Sequence, residues 1–192
     1  MKIWQTKTLF MESLIVFGIL SVPIILVSRR TLFDPKSHGF YRFFSWECII
    51  WLLASNFSFW FDEPFIVKQI ISWILLIYSI YPVVAGSIQL KKAGKPNKIR
   101  DEKTLYQFEK TSELVDTGIF KYIRHPLYSS LIFLTWGIFL KNTTGLLFLV
   151  ALLSTVFLYV TALFDEKECI QYFGKKYNEY MTRSKMFIPY LI

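Results

Sequence analysis

Polar and apolar positions fall into long blocks along the chain, and the blocks predict helices of membrane-crossing length. Leu9–Ser28 is apolar apart from Glu12 near its start and Pro23 near its end, about the ~20 residues that a bilayer requires. Phe43–Phe61 follows, rich in Trp and Phe, with Glu47 and Asn56 as its polar exceptions. Phe65–Leu90 is the third run, bent at Pro82 and closed by Lys91 and Lys92. Pro126–Leu140 and Leu146–Phe164 form a hairpin around the turn at 141–145. The first member of that hairpin is short, because fifteen helical residues reach only ~22 Å against a ~30 Å hydrocarbon core. Beyond it, Ile170, Phe173, Tyr177 and Tyr180 recur at helical spacing, which predicts an amphipathic helix over 165–180 lying against the membrane or the other helices.

The fold expected is an all-α integral membrane protein with about five transmembrane helices and a cytoplasmic C-terminal amphipathic helix. It forms a single membrane domain: three N-terminal helices over 1–90, a basic cytoplasmic loop over 91–125, the hairpin 126–164, and a C-terminal helix and tail over 165–192. Within the loop, Lys95-Pro96-Asn97 reads as a turn, and Leu105, Tyr106 and Phe108 as a small apolar cluster. A long loop of this kind in a compact chain is more often functional than not.

Charge supplies the orientation. Lys and Arg number four over 29–42, nine over 91–124 and five over 165–192, against two before the first run and one in the hairpin turn. The positive-inside rule then places the N-terminus outside and the C-terminus in the cytoplasm. With 22 Lys and Arg against 14 Asp and Glu the chain is basic, but the excess sits between apolar runs as a topology signal, so no nucleic-acid partner is expected. The first run lacks a small-residue cleavage site after it and reads as retained. Neither Cys48 nor Cys169 has the spacing or compartment for a disulfide, and no metal site is expected.

Candidate chemistry gathers where the basic loop meets the fourth run. Pro126 has no N–H and a fixed φ, so it suits the first position of a helix and forces His125 out of helical geometry. The free N–H groups of that helix start, with Arg124 and His125, make an anion-attracting corner. Read more simply, Arg124 is a topology anchor and His125 a cap. The five-residue turn makes the two hairpin helices neighbours, so Asp165 and Glu166 leave the membrane where Arg124, His125 and Tyr128 enter it. Acidic and basic groups thus converge on one level of the cytoplasmic face, a candidate site.

These residues also carry a resemblance. Gly118-Ile-Phe-Lys-Tyr-Ile-Arg-His-Pro-Leu-Tyr128 resembles the Gly-x-Tyr-x-x-x-Arg-His-Pro-x-Tyr signature of the isoprenylcysteine carboxyl methyltransferase and phospholipid methyltransferase superfamily. Asp165-Glu166, followed by Phe173-Gly174, Tyr177, Tyr180 and Phe187-Ile188-Pro189, is similar to that family's closing Glu-Glu block. The likeness covers residues 112–190.

It implies an integral membrane methyltransferase that binds S-adenosyl-L-methionine in a cytoplasm-facing pocket without a Rossmann fold; the sequence has no Gly-x-Gly-x-x-Gly stretch. The cofactor-binding residues implied are Tyr122, Arg124, His125, Pro126, Tyr128, Asp165 and Glu166, with Arg124 and Glu166 as the candidate catalytic pair. Arg124 and the helix start suit the cofactor's carboxylate, Glu166 its ammonium or ribose hydroxyls, and Tyr122 and Phe164 its adenine or sulfonium.

Four positions depart from the family pattern. Phe120 replaces a Tyr, Ser130 a Gly, Asp165 a Glu, and Thr161 stands where many members carry an Arg that orients a carboxylate substrate. The acceptor expected is a lipid or prenylated molecule dissolved in the membrane, with a phospholipid amine or a thiol as the alternative. Two other classes stay open on sequence grounds: an NADPH-dependent membrane reductase and a non-catalytic membrane protein.

Overall fold

The structure, a computed structural model, describes residues 2–94 and 111–191, with side chains from residue 10 onward. The turn expected at 95–97 and the apolar cluster at 105–108 lie outside the described residues. Among the described residues six α-helices run in chain order: α1 (Lys2–Ser28), α2 (His38–Asn56), α3 (Val67–Ala93), α4 (Pro126–Phe139), α5 (Gly145–Phe173) and α6 (Lys175–Arg183). Among the described residues there is no strand, only an isolated parallel bridge between Ile123 and Lys185.

Three of these helices, α1 from Phe10 onward, α3 and α5, are long and apolar enough to cross a membrane. They expose large apolar side chains around the bundle, such as Ile19 and Ile77 at 65%. In a bilayer that surface faces lipid and needs no further cover.

Helix starts follow local chemistry. Ser37 caps α2, its hydroxyl accepting from Gly39 N at 3.0 Å, and so α2 begins at His38 rather than at Phe43. Thr144 caps α5 through Leu147 N at 3.3 Å. Pro126 occupies the first position of α4, and His125 before it has φ −121° and ψ 64°, outside helical geometry as its proline neighbour requires.

The amphipathic helix expected over 165–180 is not one element. Nothing in Asp165-Glu-Lys-Glu-Cys stops a helix, so α5 continues through it to Phe173; the break comes at Gly174, with φ 61°. Asp165 and Glu166 therefore project from a continuous helix that also crosses the apolar layer, and α6 is a separate nine-residue piece.

Packing follows small residues and buried hydroxyls. α4 lies against α3, α2 against α5, and α1 chiefly against α2. A methyl group in place of Gly137's hydrogen would fall 2.9 Å from Leu76 of α3. The close approach lets Ser72 donate to Gly137 O at 2.7 Å, and Ser130 donates to Ser79 O at 2.6 Å. Ser130 thus replaces the family's glycine with a hydrogen bond to α3.

The short α4 ends inside the bundle, where its last carbonyls cannot reach water. Side chains satisfy this end: Asn56 donates to Ile138 O at 2.9 Å and, in the turn beyond the helix, Gln69 donates to Lys141 O at 3.3 Å. Lys141 itself is buried, donating to Gln69 Oε1 at 3.0 Å with its ammonium 3.8 Å from the centre of the Trp73 ring.

Candidate active site

Backbone pairing assembles the site before any side chain does. Residues 122–125 run beside 185–186: Arg124 N donates to Lys185 O at 2.7 Å, Lys185 N to Tyr122 O at 3.0 Å, and His125 N to Met186 O at 3.1 Å. The turn Gly118–Lys121 precedes this stretch, and Tyr180 Oη donates to Phe120 O at 2.6 Å, so α6 fastens that turn as well. The C-terminal tail is part of the site's frame.

Arg124 and Glu166 form its centre. Arg124 Nε donates to Glu166 Oε1 at 2.7 Å, and its Nη1 donates to the carbonyls of Met181 and Ser184. Both side chains are nearly enclosed. A guanidinium so engaged joins α5 to α6 and the tail, and two of its three nitrogens are committed within the protein.

His125 stands between two carboxylates, with Nδ1 3.4 Å from Asp165 Oδ2 and Nε2 3.3 Å from Glu166 Oε1. A neutral imidazole donates from one nitrogen only; the imidazolium satisfies both contacts. Burial alone would lower the His125 pKa, but Asp165 and Glu166 outweigh it and hold the ring above the ordinary histidine value. Its ring stacks on Tyr128 with centroids 5.4 Å apart.

These groups line a cavity of about 100 Å³. Arg124, His125, Tyr128 and Asp165 give it a polar wall, with Pro126 at the start of α4; Phe120, Phe173 and Tyr177 give it an aromatic one. Burial holds the Tyr177 phenol far above its ordinary pKa, so it remains a neutral group. Leu90 of α3 and Thr111, the first residue after the undescribed segment, line the cavity too. The donor set suits a ligand with both charge signs and a flat ring, as S-adenosylmethionine has. A space of this volume takes in part of such a molecule.

The residues singled out from sequence are placed as follows. Arg124, His125, Pro126, Tyr128 and Asp165 line one cavity, and Glu166 lies behind them, held by Arg124 and His125. Tyr122 is 45% exposed, with its ring 6.3 Å from that of Tyr190, and is not among the lining residues. Phe164 stacks on Tyr41 of α2, 4.9 Å between centroids, away from the cavity. Thr161 is fully buried and donates to Phe157 O at 2.7 Å, so it turns back on its own helix.

Two residues that sequence reading passed over stand beside this cluster. His38, at the start of α2, is wholly buried, and Glu168 of α5 accepts from its backbone N at 3.1 Å and meets its Nδ1 at 2.8 Å. The available signal was count and position: the chain has two histidines, and both sit at helix starts on the face predicted to be cytoplasmic.

The family model described as phospholipid methyltransferase matches residues 67–177, which is more than half of the chain and holds the whole polar wall of the cavity. The chain belongs to the phospholipid methyltransferase family. That membership favours methyl transfer over the reductase and non-catalytic readings. Methanethiol S-methyltransferase 1 of Bradyrhizobium diazoefficiens is 32% identical over 72 residues, 38% of this chain and 25% of that protein. The methanethiol S-methyltransferase of Pseudomonas deceptionensis is 30% identical over 73 residues, 38% of this chain and 27% of that protein. The chain thus matches about a quarter of the length of these curated relatives. No solved structure matches it.

Proposed function

We propose that the protein transfers a methyl group from S-adenosyl-L-methionine to a lipophilic acceptor that reaches the site from within the bilayer, at a pocket facing the cytoplasm. The observation that carries this reading is the pairing of two spaces of opposite character. Beside the polar cavity lies a groove of about 400 Å³ lined by Ile132, Phe133, Val156, Tyr159, Phe187 and Ile188, with Ser129 and Thr155. His125 lies between the two, stacked on Tyr128 of the cavity and 6.2 Å from Phe187 of the groove.

S-adenosylmethionine, when bound, supplies a methyl group on a sulfonium with a good leaving group. The chain's own residues bind, orient and exclude water. The His125 imidazolium and the free N–H groups of the first turn of α4, beyond Pro126, favour a carboxylate, while Asp165 favours an ammonium or ribose hydroxyls. Phe120, Phe173 and Tyr177 offer ring faces to adenine or to a cation. An acceptor carboxylate is already ionised at neutral pH and needs no base. Asp165 and Glu166 are both engaged by His125, and Glu166 by Arg124 as well, so the pocket suits an acceptor that arrives already ionised.

An apolar groove rewards a long chain by ~0.8 kcal/mol per buried CH₂, which a small polar acceptor does not gain. The relatives are methanethiol S-methyltransferases, which favours a second reading, a small thiol acceptor. Radiolabelled methyl transfer in detergent, comparing a farnesylcysteine analogue, phosphatidylethanolamine and methanethiol, decides between them. Labelling of a lipid acceptor supports lateral access; labelling of methanethiol alone overturns it.

A further inference from the structure

Three carboxylates leave α5 within one turn: Asp165, Glu166 and Glu168. Arg124 and His125 compensate Glu166. Asp165 and Glu168 are three residues apart on a helix, close enough for like charges to repel. Between these two stands His38 of α2. Its ring nitrogen and the carboxylate oxygens of Asp165 and Glu168 all lie within 4.8 Å of one another. Glu168 grips His38 at two points, the backbone N at 3.1 Å and Nδ1 at 2.8 Å, so the imidazole is fixed by the same carboxylate that caps the start of α2. His38 is completely buried.

We propose that His38 is a positioning residue of the methyltransferase: clamped by Glu168, its ring lies within 4.8 Å of the Asp165 carboxylate without a hydrogen bond to it and keeps it charged on the pocket wall from the α2 side, while His125 meets it at 3.4 Å from the α4 side. Both histidines of the chain then serve one carboxylate. The inference rests on the cofactor reading above only for its functional consequence. His38 lies outside the stretch that the family model matches, so family membership does not assign it.

The charges that face His38 among the described residues are Glu168 and Asp165 from α5 and Arg42 from its own helix. Burial opposes a charge on this ring and Arg42 adds to that opposition, yet the two carboxylates prevail and its pKa lies above the ordinary value. Without the imidazolium, Asp165 and Glu168 confront each other in a buried place. A shared proton or a turned side chain would relieve them, and either takes the negative charge off the pocket wall.

Because the chain has only two histidines, the test reads each directly. In protein labelled with ¹³C-histidine and held in detergent micelles, His38→Gln assigns the two imidazole signals, and Asp165→Asn should lower the titration midpoint of both. A shift in the His125 signal alone uncouples His38 from Asp165 and overturns the proposal, whatever the pocket binds. The second arm measures S-adenosylhomocysteine binding against pH. His38→Gln should weaken it roughly tenfold at about pH 6, where the wild-type imidazole is charged, and less as the pH rises and that charge is lost. The double variant H38Q/E168Q should recover part of the loss, since the opposing carboxylate is gone as well. Equal weakening at every pH, or none, assigns His38 to packing alone. Failure of the wild type to bind S-adenosylhomocysteine would sink the cofactor reading while the histidine titrations still decide the coupling.

Discussion

Arg124 and Glu166 meet at 2.7 Å across the junction of α5 and the C-terminal tail, and the remaining reach of Arg124 is spent on the carbonyls of Met181 and Ser184. The guanidinium thus braces the tail that completes the site. Arg124→Ala leaves Glu166 buried beside one histidine and should cost ~3–5 kcal/mol, the usual penalty for removing one partner of a buried pair. Glu166→Gln keeps an acceptor and should cost less, ~1–3 kcal/mol. Thermal unfolding in detergent measures both, and equal losses would mean that Arg124 does not act through the tail carbonyls.

The imidazole of His125 gives the site a pH dependence of definite sign. Its folded-state pKa is raised, so the stability that its charge contributes is complete below the unfolded value near ~6.5 and is lost as the pH rises through the folded value. The groups that face it are Asp165 and Glu166 from α5 and the ring of Tyr128 from α4, with Phe187 of the tail beyond. The melting temperature should therefore fall on the alkaline side of this window, and His125→Gln should flatten the fall. A melting profile that rises through this window in the wild type would contradict the assignment.

Gly137 tests the close approach of α3 and α4. A methyl group there falls 2.9 Å from Leu76 Cγ and Cδ2 and 3.2 Å from Leu76 N, so backbone must shift along with side chain. Gly137→Ala should destabilise by ~1–3 kcal/mol, as overpacking does, and weaken the bond from Ser72 to Gly137 O. Gly145→Ala, with open space at its Cβ, serves as the neutral comparison. Similar melting temperatures for the two variants would show that the helices are not held this closely.

Much of this arrangement was legible in the sequence because its causes are local. Pro126 places a helix start, the five-residue turn makes α4 and α5 neighbours, and Arg124, His125, Tyr128, Asp165 and Glu166 then converge by topology. What was not legible depends on distant partners. The end of α5 at Phe173 needs the conformation of Gly174, and the role of Arg124 as a brace needs the carbonyls of Met181 and Ser184. His38 and Glu168 are 130 residues apart and carry no shared motif, so only the packing of α2 on α5 reveals them as a pair. Tyr122, chosen for its place in a motif, points elsewhere because that motif fixes backbone, not the direction of each side chain.

Topology follows from charge and can be read by labelling. Five crossings with the N-terminus outside, the arrangement that the basic residues of the segment 91–124 predict, would put the turn at Glu63 outside and Glu113 in the cytoplasm. A membrane-impermeant thiol reagent applied from outside should label Glu63→Cys and spare Glu113→Cys. The reverse pattern would invert the topology and place the polar cavity on the outer face.

On the proposed reading the groove between α4 and α5 takes the acceptor and the polar cavity the cofactor, and a substitution in the groove wall tests this. Val156 and Ile132 line the groove and are not among the residues of the polar cavity. Val156→Trp adds a bulk that a lipid chain would have to displace, while Arg124, His125 and Asp165 keep their partners. Binding of S-adenosylhomocysteine should stay within about twofold of the wild type. Transfer to a farnesylcysteine analogue should fall by ~10-fold or more, since losing two or three buried CH₂ groups at ~0.8 kcal/mol each already accounts for that factor. Transfer to methanethiol, which is too short to fill the groove, should persist if the pocket accepts it. Equal loss with both acceptors would mean that the groove is a structural recess and that the acceptor arrives by the cofactor's own route.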